Sequence, residues 1–176
     1  MLVVDEQDSP LSPTNVLNCH TKRQLELAHL LIPYGLKIEP VADDELIPGS
    51  FFGEREAGLK KQTLYLRKDT PLHSALHEAG HYICMDPLRR EQLDTDTQGG
   101  FDEENGVCYL QILMSDLLRD VGKNRMMQDM DNWGYTFRLG NAKTWFEQDS
   151  DDARQWLCYH KIIDSKQNIT LQLRDN

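Results

Sequence analysis

The sequence predicts a helix-rich α+β fold in which a small mixed sheet packs against a larger helical body. Two short runs, 36–41 and 62–67, mix apolar with β-branched or aromatic residues, as strands do. Elsewhere apolar residues recur at helical spacing. The 176 residues suit one domain with its own core. We therefore expect a loose segment at 1–20 and a single domain at 21–176.

Charge and composition narrow the classes of function. Lys and Arg number 19 against 29 Asp and Glu, which gives a net charge of -10. Such a surface repels phosphate backbones and anionic lipid heads. The chain has no apolar run of the ~18 residues that a membrane span needs, and no basic stretch at its start. We expect a cytoplasmic protein with no nucleic-acid or membrane partner.

The first and last predicted helices are recognised by their capping residues. Thr21 with Gln24 matches a capping box, and Pro33 ends the helical pattern that follows it. Asn141 and Ser150 are suited to cap two further amphipathic helices near the carboxyl end.

Two longer helices are predicted in the middle of the chain. Thr70 can cap the first and Pro71 suits its first turn, so this helix should run to Cys84 or Met85. The second should begin near Asp102 and continue to about Val121, where Gly122 offers a left-handed end.

The main chemical signal is the run His77-Glu78-Ala79-Gly80-His81 on the first of these helices. Side chains four residues apart share a helix face, so the two imidazoles can bind one ion. Glu78 then lies beside the metal. There it can accept a proton from metal-bound water, whose pKa falls to about 7 on zinc. The motif predicts a metal site with Glu78 as the catalytic base.

A third metal ligand is expected from the acidic start of the next helix, at Asp102, Glu103 or Glu104. On a helical wheel Glu103 coincides with the centre of the apolar stripe, and Glu104 lies about 100° away at its edge. Gly106 would let this helix approach the histidines closely, which also favours Glu103. Glu104 is the second candidate. An acidic first turn also complements the helix dipole without any metal.

Other residues with chemical potential are expected to be structural. His73, one turn before His77, is expected at the protein surface rather than as a support for the metal ligands. The larger aromatic residues should fill the core, and the cysteines should be free, buried thiols. These are Trp133, Tyr135, Trp145 and Trp156, and Cys19, Cys84, Cys108 and Cys158.

Residues 77–81 followed by Glu103 or Glu104 resemble the zincin-like metallopeptidases of the gluzincin type. The resemblance implies a zincin-like fold, a bound Zn²⁺, Glu78 as general base and hydrolysis of a protein or peptide substrate. It also implies that the loop with Glu54 and Glu56 and the strand Thr63–Leu66, which precede the metal helix, lie where zincins place the edge strand that aligns an extended substrate.

A second, local resemblance involves Ser74–Glu78, His81–Tyr82 and Arg89–Glu91, which are similar to the metal helix of bacterial elongation factor P hydroxylase. It implies an iron-dependent oxygenase that acts on a modified lysine. Two histidines and one carboxylate suit Fe²⁺ as well as Zn²⁺, so the residues leave both metals open. A non-catalytic, metal-stabilised regulatory protein is a third hypothesis, and the sequence does not indicate an oligomeric state.

Overall fold

The computed structural model describes residues 15–50 and 54–176. Most of the predicted loose segment, residues 1–14, therefore lies outside the described residues. The remainder of that segment is packed. Val16 and Cys19 are buried, and Asn18 forms a β-bridge with Pro71. The packed part of the chain thus begins ahead of Thr21.

Helices dominate the described residues and a small sheet accompanies them, which confirms the α+β class. The helices are α1 (Thr21–Leu31), α2 (Leu72–Cys84), α3 (Pro87–Gln92), α4 (Phe101–Ser115), α5 (Gly122–Trp133), α6 (Ala142–Gln148) and α7 (Asp151–Tyr159). The strands are β1 (Lys37–Pro40), β2 (Gly58–Lys60) and β3 (Thr63–Leu66). A short 3₁₀ turn at Ile32–Tyr34 contains Pro33 and follows α1, where the sequence predicts the helix to end.

The sheet is mixed, as predicted, with the strand order β1-β3-β2. β3 pairs in parallel with β1 and antiparallel with β2. The two predicted strands are therefore confirmed, and β2 is an additional one. β3 is the central strand, so it is not the edge strand implied by the zincin resemblance. At the outer edge of β2, the backbone N–H of Leu59 donates to the carbonyl of Gly49 at 3.4 Å, so neighbouring chain covers this edge.

Three of the predicted side-chain caps are wrong because the side chains bond elsewhere. Ser150 does precede α7, but its hydroxyl donates to the carbonyl of Phe146 and caps no N–H of that helix. The amide of Gln24 donates to the carbonyl oxygen of Cys19 at 2.9 Å, so it does not complete a capping box. The hydroxyl of Thr70 accepts from the backbone N–H of Arg67 at 2.8 Å and closes the turn before α2. Asn141 does cap α6, since its side-chain oxygen accepts from the N–H of Thr144.

The second long helix is shorter than the sequence predicts, and α5 was not predicted. α4 ends at Ser115, six residues before Val121. Its end is tightened by short-range bonds, such as the one from the N–H of Leu117 to the carbonyl of Met114 at 3.0 Å. Leu117, which lies beyond the end of α4, is 56% exposed. Gly122 adopts a left-handed φ of 76° as α5 begins.

The two site-bearing helices pack directly against each other. α2 contacts β2, β3, α4 and α5, while α4 also contacts α5 and α7. Gly80 makes the close α2–α4 approach possible, because a Cβ there would lie 3.0 Å from a methyl group of Val107. Gly106 instead faces α7, where its Cβ would meet the ring of Trp156 at 2.8 Å. The glycine that brings the helices together is therefore on the histidine helix.

Candidate metal centre

Three side chains from α2 and α4 converge on one point. The Nε2 atoms of His77 and His81 lie 3.2 Å apart. The two carboxylate oxygens of Glu104 lie 3.0 Å from Nε2 of His77 and 3.3 Å from Nε2 of His81. Among the described residues, these three form a group whose ligand atoms all lie within 4.8 Å of one another.

These separations fit a single metal ion. Ligand atoms about 2.1 Å from a tetrahedral ion are separated from one another by about 3.4 Å. The measured distances of 3.0 to 3.3 Å are close to that value. Two imidazole nitrogens and a carboxylate are also a common donor set for catalytic zinc, in which the fourth position stays open. Metal binding by these residues remains a prediction that their geometry supports.

The structure reverses the order of the two candidate carboxylates. Glu103 does point inward, with 5% of its surface exposed, but its carboxylate binds two arginines. Arg89 donates to Oε2 at 3.0 Å, and Arg174 donates to the same oxygen at 3.2 Å. Glu103 is thus engaged in a buried ion cluster. Glu104 is the carboxylate that lies against the histidines.

The helical wheel ranked these residues in the wrong order because α4 has no single buried face. Every residue from Gly106 to Ser115 is buried, since α4 is covered by α2, α5 and α7. An apolar stripe marks the direction of a core only when the opposite face is exposed. The helical wheel predicts that a side chain of α4 points inward, but it does not predict which neighbouring helix that side chain contacts.

Glu78 lies against the same pocket as the three candidate ligands. Burial raises the pKa of Glu78 to about 7, and the nearby carboxylates of Glu104 and Glu56 add to the increase. Glu56 is held by the indole N–H of Trp133, which donates to its carboxylate at 2.8 Å. A carboxylate with a pKa near neutrality is suited to accept and return a proton at physiological pH.

The orientation of His77 is fixed by Gln111, a fully buried residue of α4. The amide nitrogen of Gln111 donates to the carbonyl oxygen of His73 at 2.9 Å, so its oxygen must face His77. That oxygen lies 3.0 Å from Nδ1 of His77. Nδ1 therefore carries a proton, and Nε2 faces Glu104. Burial lowers the pKa of His77, but its contacts with Tyr135, Cys108 and Glu104 outweigh burial and raise the pKa well above its ordinary value, so a cation bound here would displace a proton from Nε2.

The sequence predicts His73 at the surface, but the structure buries it, with 1% of its surface exposed. Its Nδ1 lies 3.1 Å from the hydroxyl of Tyr135, and its ring packs against Trp133. Burial lowers the pKa of His73 to about 3. Tyr135 also packs edge-on against the ring of His77. A neutral His73 and Tyr135 thus form the wall behind His77.

The protonation of the other two candidate ligands favours cation binding. Burial, reinforced by His77, lowers the pKa of His81 to about 4, which keeps its imidazole neutral near pH 7. Burial by itself would raise the pKa of Glu104, but a hydrogen bond to His77 and the proximity of both histidines lower it. A neutral imidazole and an ionised carboxylate are the forms that coordinate metals.

Two cavities meet at Glu104. One, of about 320 Å³, is lined by His77, Glu78, His81 and Glu104 and by the loop 95–99. The other, of about 530 Å³, lies along the first turns of α4, where Glu104 and Cys108 line it. The sequence predicts that Tyr135 and Trp145 fill the core. Both also line this second cavity, so filling the core is not their only role.

Arg89 and Arg90, which carry part of the hydroxylase resemblance, have structural contacts here. Besides Glu103, Arg89 binds the carbonyl of Thr97 at 3.0 Å. Arg90 donates to the carbonyl of Tyr82 at 2.8 Å and to that of Arg174 at 2.9 Å. The guanidinium of Arg90 therefore stabilises the carboxyl end of α2 and joins it to the end of the chain.

Sequence reasoning missed Gln111, Glu56 and the inward role of His73. For Gln111 a signal was present: it is a polar residue within the apolar run 107–114, and it lies seven residues after Glu104 on the same helix face. Glu56 precedes the sheet strand β2 and has no helical spacing to the motif. The sequence pattern therefore gives no comparable signal for it.

In the described part of the chain, no helix combines the length and the apolar character needed to cross a membrane. The comparisons with known proteins do not assign a family: no protein-family model, curated protein or solved structure matches this chain.

Proposed function

We propose that this protein is a metal-dependent hydrolase of the zincin-like metallopeptidase type. One observation carries the proposal. Ligand atoms of His77, His81 and Glu104 lie 3.0 to 3.3 Å apart at a cavity that the carboxylate of Glu78 also lines. That is the arrangement hydrolytic zinc sites require: three protein ligands, an open side and a nearby base.

Each ligand is held by contacts that suit this role. Gln111 keeps a proton on Nδ1 of His77, which leaves Nε2 as the nitrogen available to a metal. The close packing of Gly80 on Val107 sets the separation of α2 from α4, and so the distance from the histidines to Glu104. A Zn²⁺ ion bound here would polarise a substrate carbonyl and lower the pKa of water to about 7.

Glu78 is the proposed general base. Its carboxylate takes a proton from the attacking water as the water oxygen bonds to the carbonyl carbon of the peptide. It then passes that proton to the leaving nitrogen as the C–N bond breaks, so one water is consumed and two chain ends are produced. A base whose pKa is near 7 can perform both transfers.

The test compares zinc-loaded wild type with Glu78→Gln on a mixture of fluorogenic peptides, with cleavage products identified by mass spectrometry. Glu78→Gln should bind zinc normally and lose activity by about 10²-fold or more. Glu91→Gln, on the exposed surface of α3, is the control and should keep full activity. Equal activity of wild type and Glu78→Gln would contradict the proposal, as would stoichiometric zinc without any peptide cleavage.

Fe²⁺ is the alternative metal, because the same donor set with open positions also suits ferrous iron. Metal analysis of protein purified anaerobically, without a metal-affinity tag, separates the two. Zinc near one ion per chain supports the hydrolase. Iron that is lost in air, together with oxygen consumption by the ferrous protein, would favour a hydroxylase instead.

A further inference from the structure

We propose that the larger cavity, defined here as the aromatic cavity, binds a large apolar side chain of the substrate, and in particular an aromatic one. The inference rests on the proposed function and adds a substrate preference to it. The aromatic cavity has a volume of about 530 Å³ and lies between the first turns of α4, the segment 135–138, Trp145 and the start of α7. Its volume is within the range of small-molecule sites.

The aromatic cavity adjoins the candidate metal centre. Glu104 lines it as well as the smaller cavity that holds Glu78. Cys108, one turn further along α4, forms part of its wall and contacts His77. A substrate whose backbone lies at the metal centre can therefore place a neighbouring side chain in the aromatic cavity.

The walls of the aromatic cavity favour an apolar occupant. Its buried lining consists of Cys108, Trp145 and Ala153. Tyr135 and Phe137 stand beside them, and the ring centroids of Phe137 and Trp145 are 5.0 Å apart. A ring placed here would meet other rings at stacking or edge distances, which stabilise aromatic pairs beyond the effect of burial alone.

Of the charged groups that line the aromatic cavity, Arg138 and Asp149 pair with each other, and Glu104 faces the two histidines. Arg138 donates two hydrogen bonds to the carboxylate of Asp149, at 2.6 and 2.5 Å. Asp152 is exposed to solvent at the rim. A charged side chain would have to leave water for the buried apolar part of this cavity, which is costly, whereas an apolar side chain gains from the transfer.

The test is a titration of ¹⁵N-labelled full-length protein with N-acetylphenylalanine amide and, separately, with N-acetylalanine amide, both without metal and with equimolar zinc. The indole N–H resonances of the 3 tryptophans are followed. The aromatic probe should shift the Trp145 resonance saturably, while Trp133 and Trp156 change less. No saturable shift at Trp145, or an equal shift with the alanine probe, would overturn the proposal.

Variants make the test specific. Ala153→Leu fills the aromatic cavity and should weaken binding of the aromatic probe by about tenfold or more. Ala28→Leu, on α1 and outside the aromatic cavity, is the matched control and should not change binding. Should Ala153→Leu fail to fold, Phe137→Ala removes one wall and should also weaken binding. Unchanged affinity in the folded cavity variants would contradict the proposal.

Failure of this inference is distinguishable from failure of the proposed function. Probe binding is read from Trp145 without any reaction, whereas zinc content and peptide cleavage are measured separately on the same protein. Saturable probe binding without cleavage supports the aromatic cavity and counts against hydrolysis. Cleavage with no preference for aromatic residues and no response at Trp145 overturns the cavity assignment alone.

Discussion

Oε1 of Gln111 lies 3.0 Å from Nδ1 of His77, and the amide nitrogen of Gln111 is bound to the carbonyl of His73. Because a carbonyl can only accept, this pair of contacts keeps a proton on Nδ1 of His77. Nε2, which faces Glu104 and His81, is therefore the nitrogen available to a metal ion. One buried amide thus prepares a metal ligand from the neighbouring helix.

Replacing Gln111 with Leu should weaken zinc binding by about 10–100-fold, because partners that orient a ligating histidine typically contribute that much. Affinity is measured by competition with a chromogenic chelator. Ser115→Ala is the control: Ser115 is also buried on α4, but its hydroxyl donates to the carbonyl of Ile112, away from the site. Equal zinc affinity of Gln111→Leu and wild type would show that the contact does not orient His77.

Glu103→Gln should lower the free energy of unfolding by about 2–4 kcal/mol. Removing one partner of a buried ion cluster leaves the charges of the others without compensation. Arg89 and Arg174 are partly exposed, so water lowers the free-energy cost of leaving their charges unpaired. Urea denaturation monitored by circular dichroism measures the change. Asp102→Asn, at the exposed start of the same helix, should change stability by less than about 0.5 kcal/mol. A similar small effect for Glu103→Gln would contradict the structural role of the cluster.

His73 should make the protein less stable in acid. The pKa of His73 is about 3 in the folded protein, whereas its ordinary value, which applies to the unfolded chain, is 6.5. Between these two pH values the unfolded chain binds a proton at His73 and the folded protein does not. Stability should therefore fall as the pH falls from about 6.5 to about 3, with a loss from this residue of about 2 kcal/mol at pH 5.

The His73→Asn variant isolates this contribution, since the other titrating groups are common to both proteins. Between pH 6 and 4 the unfolding free energy of wild type should decline more steeply than that of His73→Asn, by about 1.2 kcal/mol per pH unit. Parallel pH profiles for the two proteins would mean that His73 is not buried in its neutral form.

Much of the fold follows from local sequence signals. The strands at 36–41 and 62–67 and the end of α2 before Pro87 were predictable, because β-branched and aromatic runs and proline act locally. α5 was not predictable in this way. Its buried side chains are three methionines and Asp129 among many polar residues, and Asp129 is stabilised by Arg125 and by the backbone N–H of Leu17. Those contacts exist only in the folded protein.

The candidate site was predictable in its motif but not in its full composition. Helical spacing places His77 and His81 on one face, and this depends on one helix alone. The choice between Glu103 and Glu104 depends on how α4 packs against α2 and on where Arg174, 71 residues away, is anchored. Such long-range contacts leave no local pattern in the sequence. The sequence therefore narrows the third ligand to adjacent acidic residues but does not choose between them.

The most direct test is the zinc content and zinc affinity of Glu104→Gln beside Glu103→Gln, measured by mass spectrometry and chelator competition at a temperature where circular dichroism shows both variants folded. The structure leads us to expect that Glu104→Gln loses stoichiometric zinc while Glu103→Gln, although less stable, binds it as wild type does. Retained zinc in Glu104→Gln together with its loss in folded Glu103→Gln would contradict the assignment of His77, His81 and Glu104 as the metal centre.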